Sequence, residues 1–98
     1  MRVVYSPRSL RDLERIAARY RKVADLKIAK AVADRIEYVI NRIGRRPQSA
    51  PGVAGRTSVR VVLVLRYPYK IFYRMRMDVV EILHVRHTAR RSWKPEDE

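Results

Sequence analysis

The chain has 98 residues, of which 47% are apolar, enough for one small core. Its 23 Lys and Arg against 10 Asp and Glu give a formal charge of +13, a field that attracts polyanions: nucleic acid, anionic lipid or an acidic protein. It contains no cysteine, which excludes disulfide scaffolds and thiolate metal sites, and no apolar run approaches the roughly 20 residues that span a bilayer.

MRVVYSPRS lacks the long apolar core of a secretory leader, so a cytoplasmic protein with no membrane partner is expected. Within it, Arg2 to Tyr5 is short and β-rich and reads as a first strand. Ser6 can cap a helix and Pro7 suits its first turn, where the missing N–H would be unpaired anyway. Leu10, Leu13, Ile16, Ala17 and Tyr20 then recur at helical spacing, with Arg8, Arg11, Arg15 and Arg19 on the other side. After a break near Arg21 to Asp25, a second helical stripe runs through Ala29, Val32, Ala33, Ile36, Ile40 and Ile43. Gly44 suits its end and Pro47 confirms the stop. So short a link predicts an antiparallel helix hairpin.

Residues 44–58 are loop-like and hold all three glycines of the chain. Beyond them the pattern is a β-meander. Val59 to Leu65 is apolar and β-branched, Tyr67-Pro68 marks a turn, and Tyr69 to Met75 alternates. Tyr69, Ile71, Tyr73 and Met75 share one face; Lys70, Phe72, Arg74 and Arg76 share the other. A tight turn near Met77-Asp78 leads to Val79 to His87. Strands this close in sequence pair antiparallel. The predicted class is α+β, in the order β-α-α-β-β-β: an antiparallel sheet packed on an N-terminal helix hairpin. Neither half could bury a core alone, so residues 1–98 form one domain, with 92–98 set apart as a tail that need not be ordered. The uncovered sheet face should carry much of the charge, and the open edges should invite another chain.

The chemistry-bearing residues gather in EILHVRHTARRSW, from Glu81 to Trp93. His84 and His87 are three apart, which on a strand points them to opposite faces, and no further His or Cys exists to complete a metal site. No metal and no cofactor are expected. PGVAG has neither the Lys nor the helix-opening context of a phosphate loop. Ser6, Ser9, Ser49, Ser58 and Ser92 sit in no nucleophile elbow, and Asp78 and Glu81 are the only acids in the sheet. Ribonuclease chemistry demands less: one group to deprotonate a 2′-hydroxyl, one to protonate the leaving oxygen, and cations for the phosphorane. His87, Arg86, Arg90, Arg91, Lys70 and Arg74 could be given those roles. A plainer account makes His87 a strand-end histidine bonded to backbone or packed under Trp93, and His84 a surface or half-buried residue. Tyr67, Tyr69 and Tyr73 could stack on bases. Tyr69 and Tyr73, however, share a face with Ile71 and Met75, which is more simply a core face.

RVVYSPRSLRDLERIA, a second helix ending in GRRP, then PYKIFYRM and VVEILHVRHTARR resemble, in that order, the RelE/ParE family of bacterial type II toxins. The resemblance covers nearly the whole chain, and its specificity lies in the order and spacing of these stretches. RelE-like members are mRNA endonucleases working inside the ribosome; ParE-like members lack that activity and inhibit DNA gyrase. The His-Thr-Ala-Arg-Arg ending and the long helix hairpin are similar to the ParE pattern, and no tyrosine follows Tyr73 to serve as a RelE-type acid–base residue. The ParE resemblance carries over no catalytic residue; under the nuclease alternative His87, Arg86 and Arg90 would carry the chemistry. A plain basic nucleic-acid-binding module is a third alternative.

The resemblance also implies a ParD-like antitoxin, an acidic amphipathic segment wrapped on the toxin in a hetero-oligomer. Arg8, Arg11, Arg15 and Arg19 of the first helix, with Arg60, Arg74 and Arg76 of the sheet, are the expected antitoxin contacts. Arg86, His87, Arg90, Arg91 and Trp93 are the expected surface for the target.

Overall fold

The computed structural model describes residues 1–89. The elements are β1 (Arg2–Tyr5), α1 (Pro7–Val23), α2 (Leu26–Arg45), β2 (Gly52–Val53), β3 (Arg56–Val64), β4 (Tyr69–Arg76) and β5 (Val79–His87). Ser6 caps α1 by accepting the Ser9 N–H at 3.0 Å, and Pro7 occupies its first turn. Asp25 restarts the helix by accepting the Ile28 N–H at 2.9 Å, so only two residues separate α1 from α2.

The sheet order is β1-β5-β4-β3-β2. The meander β3-β4-β5 is antiparallel, as its short connections require. β1 then adds to the far edge of β5 in parallel, Arg2 opposite Val79 and Tyr5 opposite Ile82, so the sheet as a whole is mixed. A parallel neighbour needs a long crossover, and the helix hairpin together with the meander supplies it. β2 is a two-residue strand inside the segment that reads as loop in the sequence.

The core lies between α2 and one sheet face. Val32, Ile36, Val39, Ile40 and Ile43 meet Val64, Tyr69, Ile71, Tyr73, Val80, Ile82 and Val85. The face of β4 assigned to the core by alternation is the face that is buried. The opposite face is less uniformly charged than its sequence implies: Phe72 and Val59 are buried there, with Val53, Val61 and Leu83 packed around them. Gly44 does not end α2 but sits inside its last turn. Its role is close approach, since a Cβ there would lie 3.0 Å from Val3 Cγ2. The same residue's carbonyl accepts the Met1 ammonium at 2.8 Å, which ties β1 to α2.

Candidate functional site

β5 is longer than β1, and the difference shapes the site. β1 covers the β5 edge only as far as Ile82. The chain then turns at Ser6 into α1, and side chains replace the missing strand. The Ser6 N–H donates to Ile82 O at 2.9 Å, and Ser6 Oγ donates to Leu83 O at 2.9 Å. Asp12 Oδ2 accepts the Val85 N–H at 3.0 Å. These bonds satisfy backbone groups that an open edge would leave exposed. A bulge helps: Phe72 pairs with His84 while Tyr73 pairs with Ile82, so Leu83 is an extra residue in β5.

The same Asp12 oxygen lies 2.6 Å from His84 Nδ1, and both side chains are buried. His84 is therefore an interior residue and not the surface or half-buried one its sequence context suggests. Its ring stacks on Phe72 and its Nε2 lies 3.4 Å from Arg86 Nη1. With a proton on Nδ1 the ring donates to Asp12. Burial on its own would raise the Asp12 pKa. The hydrogen bonds from His84 and Val85, with the His84 and Arg15 charges, outweigh it and hold the carboxyl below its ordinary value.

Outside this buried row lies a cleft of about 680 Å³ between α1 and the end of β5. Arg15, Arg19 and Lys22 line it from α1, and Arg86 and His87 line it from β5. Sequence reasoning gave Arg15 and Arg19 to an antitoxin surface and Arg86 and His87 to a target surface, and passed over Lys22; the fold brings all five to one cleft. Arg8 and Arg11 do not line it. Arg90, Arg91 and Trp93 fall outside the described residues. His87 is half-buried, edge-on to Tyr69 at 5.4 Å, and its Nδ1 accepts the Ala89 N–H at 3.0 Å. That contact occupies Nδ1 and, in the tautomer it favours, makes Nε2–H a donor. The Tyr69 phenol is pushed up to about 12, first by burial and then by the neighbouring Tyr20 hydroxyl, so it stays protonated as well. Among the described residues no cluster of three or more His, Asp or Glu could hold a metal ion.

A second, larger groove of about 1090 Å³ runs between α2 and the outer end of β3. Arg35, Arg42, Arg45 and Arg46 flank it, and Leu63 and Leu65, each more than half exposed, form its apolar side. Arg35 lies over the Tyr38 ring at 4.9 Å. β2 pairs with β3 only near Arg56 and Arg60, and the Val61 N–H donates to Pro51 O. Alternation turns the Leu63 backbone to the same outward side, where no described strand meets it. None of the four flanking arginines was singled out from sequence. Arg35 and Arg42 recur at helical spacing on α2, with Arg46 at its C-cap, a signal as visible as the row on α1. The sheet arginines that were singled out are already engaged. Arg60 Nη1 donates to Ala50 O at 2.6 Å and to Gln48 O at 3.2 Å. Arg74 and Arg76 share Glu81, at 2.8 and 3.7 Å.

With this architecture in view, the comparisons with known proteins are decisive. Residues 3–92 match the family model described as the ParE toxin of the type II toxin–antitoxin system parDE. The chain belongs to the ParE toxin family. It is thus a toxin of the type II class, as the order of its sequence stretches implied. The fold of a chain from the chromosomal ParDE system of P. aeruginosa superposes with a TM-score of 0.80. That match covers 89% of this chain and 95% of the other at 18% identity. No curated protein matches the sequence. Set on the ParE fold, the cleft opens beside β5 and the larger groove beside β3, on opposite sides of β4 in the sheet order. Among the described residues no helix is long and apolar enough to cross a membrane.

Proposed function

We propose that this ParE-family toxin inhibits DNA gyrase by binding, without bond-making chemistry of its own. A ParD-like antitoxin neutralises it by laying an acidic amphipathic segment in the groove between α2 and β3. The observation that carries the antitoxin assignment is the pairing, in one groove, of exposed Leu63 and Leu65 with four flanking arginines and an open strand edge. An extended partner adds main-chain bonds at β3, apolar anchors against the two leucines, and carboxylates against Arg35, Arg42, Arg45 and Arg46. It also relieves the self-repulsion of a +13 chain.

The test runs two assays on one preparation. The purified toxin meets gyrase, plasmid and ATP, and separately a ribosome-programmed mRNA. Cleaved DNA or lost supercoiling with intact mRNA, both reversed by the cognate antitoxin, is the expected result. Cut mRNA with unaffected gyrase would replace the proposal by the RelE-like alternative and make His87→Ala the next variant.

A further inference from the structure

We infer that the cleft between α1 and β5 is a phosphodiester-binding site, so that the toxin holds a nucleic-acid backbone directly as well as any protein target. The chemistry of the cleft selects this ligand. Arg15, Arg19 and Lys22 follow one another at i, i+4 and i+7 on one face of α1. Over those seven residues the helix rises about 10 Å, the axial rise of about three base pairs of duplex. Arg86 and His87 face this row from β5. His87 presents a donating Nε2–H, which suits a phosphate oxygen.

The one carboxylate in the cleft does not oppose an anion. Asp12 is buried, with Oδ2 occupied by His84 and the Val85 N–H and Oδ1 3.8 Å from Arg15. An acidic protein segment fits less well. Peptides dock on sheets by pairing with open backbone. Here the β5 edge is closed, because Ser6 Oγ takes Leu83 O and Asp12 takes the Val85 N–H. What the cleft offers is one row of three exposed cations on α1, backed by the largely buried Arg86 guanidinium and the His87 ring, a set of donors and charges that suits phosphates. The open stretch of edge that suits a peptide lies across β4, on the outer side of β3 beyond its pairing with β2.

The experiment needs neither gyrase nor antitoxin, so its outcome is independent of the proposed function. Binding of the full chain to a short fluorescent duplex, and to single-stranded RNA of equal length, is followed over a series of KCl concentrations. One variant carries Arg15→Gln, Arg19→Gln and Lys22→Gln; a charge-matched control carries Arg11→Gln, Arg21→Gln and Lys27→Gln. All six side chains are on the exterior, and a thermal melt of each variant confirms that the fold is retained. The expected result is a plot of log K against log salt that flattens by about 3 for the cleft variant and by less than 1 for the control. The nucleic acid showing the steeper wild-type slope is the one the cleft serves. Equal flattening by both variants would reduce the binding to diffuse charge and overturn the site. So would failure to bind either nucleic acid. Capture of polyglutamate, lost in the cleft variant alone, would reassign the cleft to an acidic protein.

Discussion

Asp12 and His84, seventy-two residues apart, meet at 2.6 Å inside the protein, and the same carboxylate oxygen takes the Val85 N–H at 3.0 Å. One side chain thus stands in for a strand that β1 is too short to supply. Removing it strands two buried donors. Asp12→Ala is expected to lower the unfolding free energy by about 3 kcal/mol, as when one partner of a buried pair is deleted. Urea unfolding at neutral pH measures it; a loss under about 1 kcal/mol would show that the edge is not closed by this contact.

The same residue sets an acid limb. The folded-state Asp12 pKa lies below 3.8, so the carboxylate's contribution is complete above that value and drains away as the pH falls through it and beneath. Asp12→Asn should therefore flatten the fall of stability with pH below about pH 4, relative to wild type. Parallel slopes for the two proteins in that range would remove Asp12 from the account of acid unfolding.

Gly44 reports on the seam between β1 and α2. Its missing Cβ leaves room for Val3 Cγ2 at 3.0 Å and for Met1 O at 3.4 Å. Gly44→Leu forces these atoms apart and should cost about 1–3 kcal/mol, the range for overpacking a tight site. Alanine is a milder case, because its better helix propensity offsets part of the clash. A denaturant midpoint for Gly44→Leu equal to that of wild type would mean that β1 shifts freely.

Tyr73 ties the sheet to the segment after α2. It is fully buried, and its hydroxyl donates to Pro47 O at 2.6 Å. Burial pushes its phenol pKa up, against the pull of Arg60 and the Ala50 backbone, so the proton stays in place to donate. Tyr73→Phe should cost about 1–2 kcal/mol, mostly the desolvation of an abandoned carbonyl. Hydrogen exchange should accelerate around Ser49 and Ala50, and unchanged exchange there would count against the anchor.

The groove prediction is one of binding and not of stability. Leu63 is 58% exposed, so Leu63→Glu should leave the melting temperature within a degree or two while weakening the cognate antitoxin at least tenfold, about 1.4 kcal/mol. Calorimetry with the purified antitoxin decides it. Undiminished affinity for Leu63→Glu, with loss for Arg11→Glu plus Arg15→Glu, would move the antitoxin to α1.

The α+β architecture was legible in the chain because its cues are local. Ser6-Pro7 starts a helix, Asp25 restarts it, and the two-residue period from Tyr69 to Met75 names the buried face of β4 before any coordinates exist. Periodicity reports only which residues share a side, which is why it served α2 and the meander well and α1 less well. Leu10 fits the helical stripe but is about half exposed, while Ser9 and Asp12 are buried. The rotation of α1 was settled by the β5 edge, a partner more than seventy residues away whose unpaired backbone demanded polar company.

Sequence alone therefore determined the element order, the basic field and, through the order of its stretches, the toxin family. Tertiary structure decided what the charges are for. It placed Arg15 and Arg19 with Arg86 and His87 around one cleft, engaged Arg60, Arg74 and Arg76 with neighbouring backbone and Glu81, and set Arg35, Arg42, Arg45 and Arg46 beside an open strand edge. Charge is a property of composition and survives any rearrangement of the fold. Proximity between an arginine and a cleft depends on non-local pairing, and it exists only once β1 has crossed to β5 and the helix hairpin has closed over the sheet.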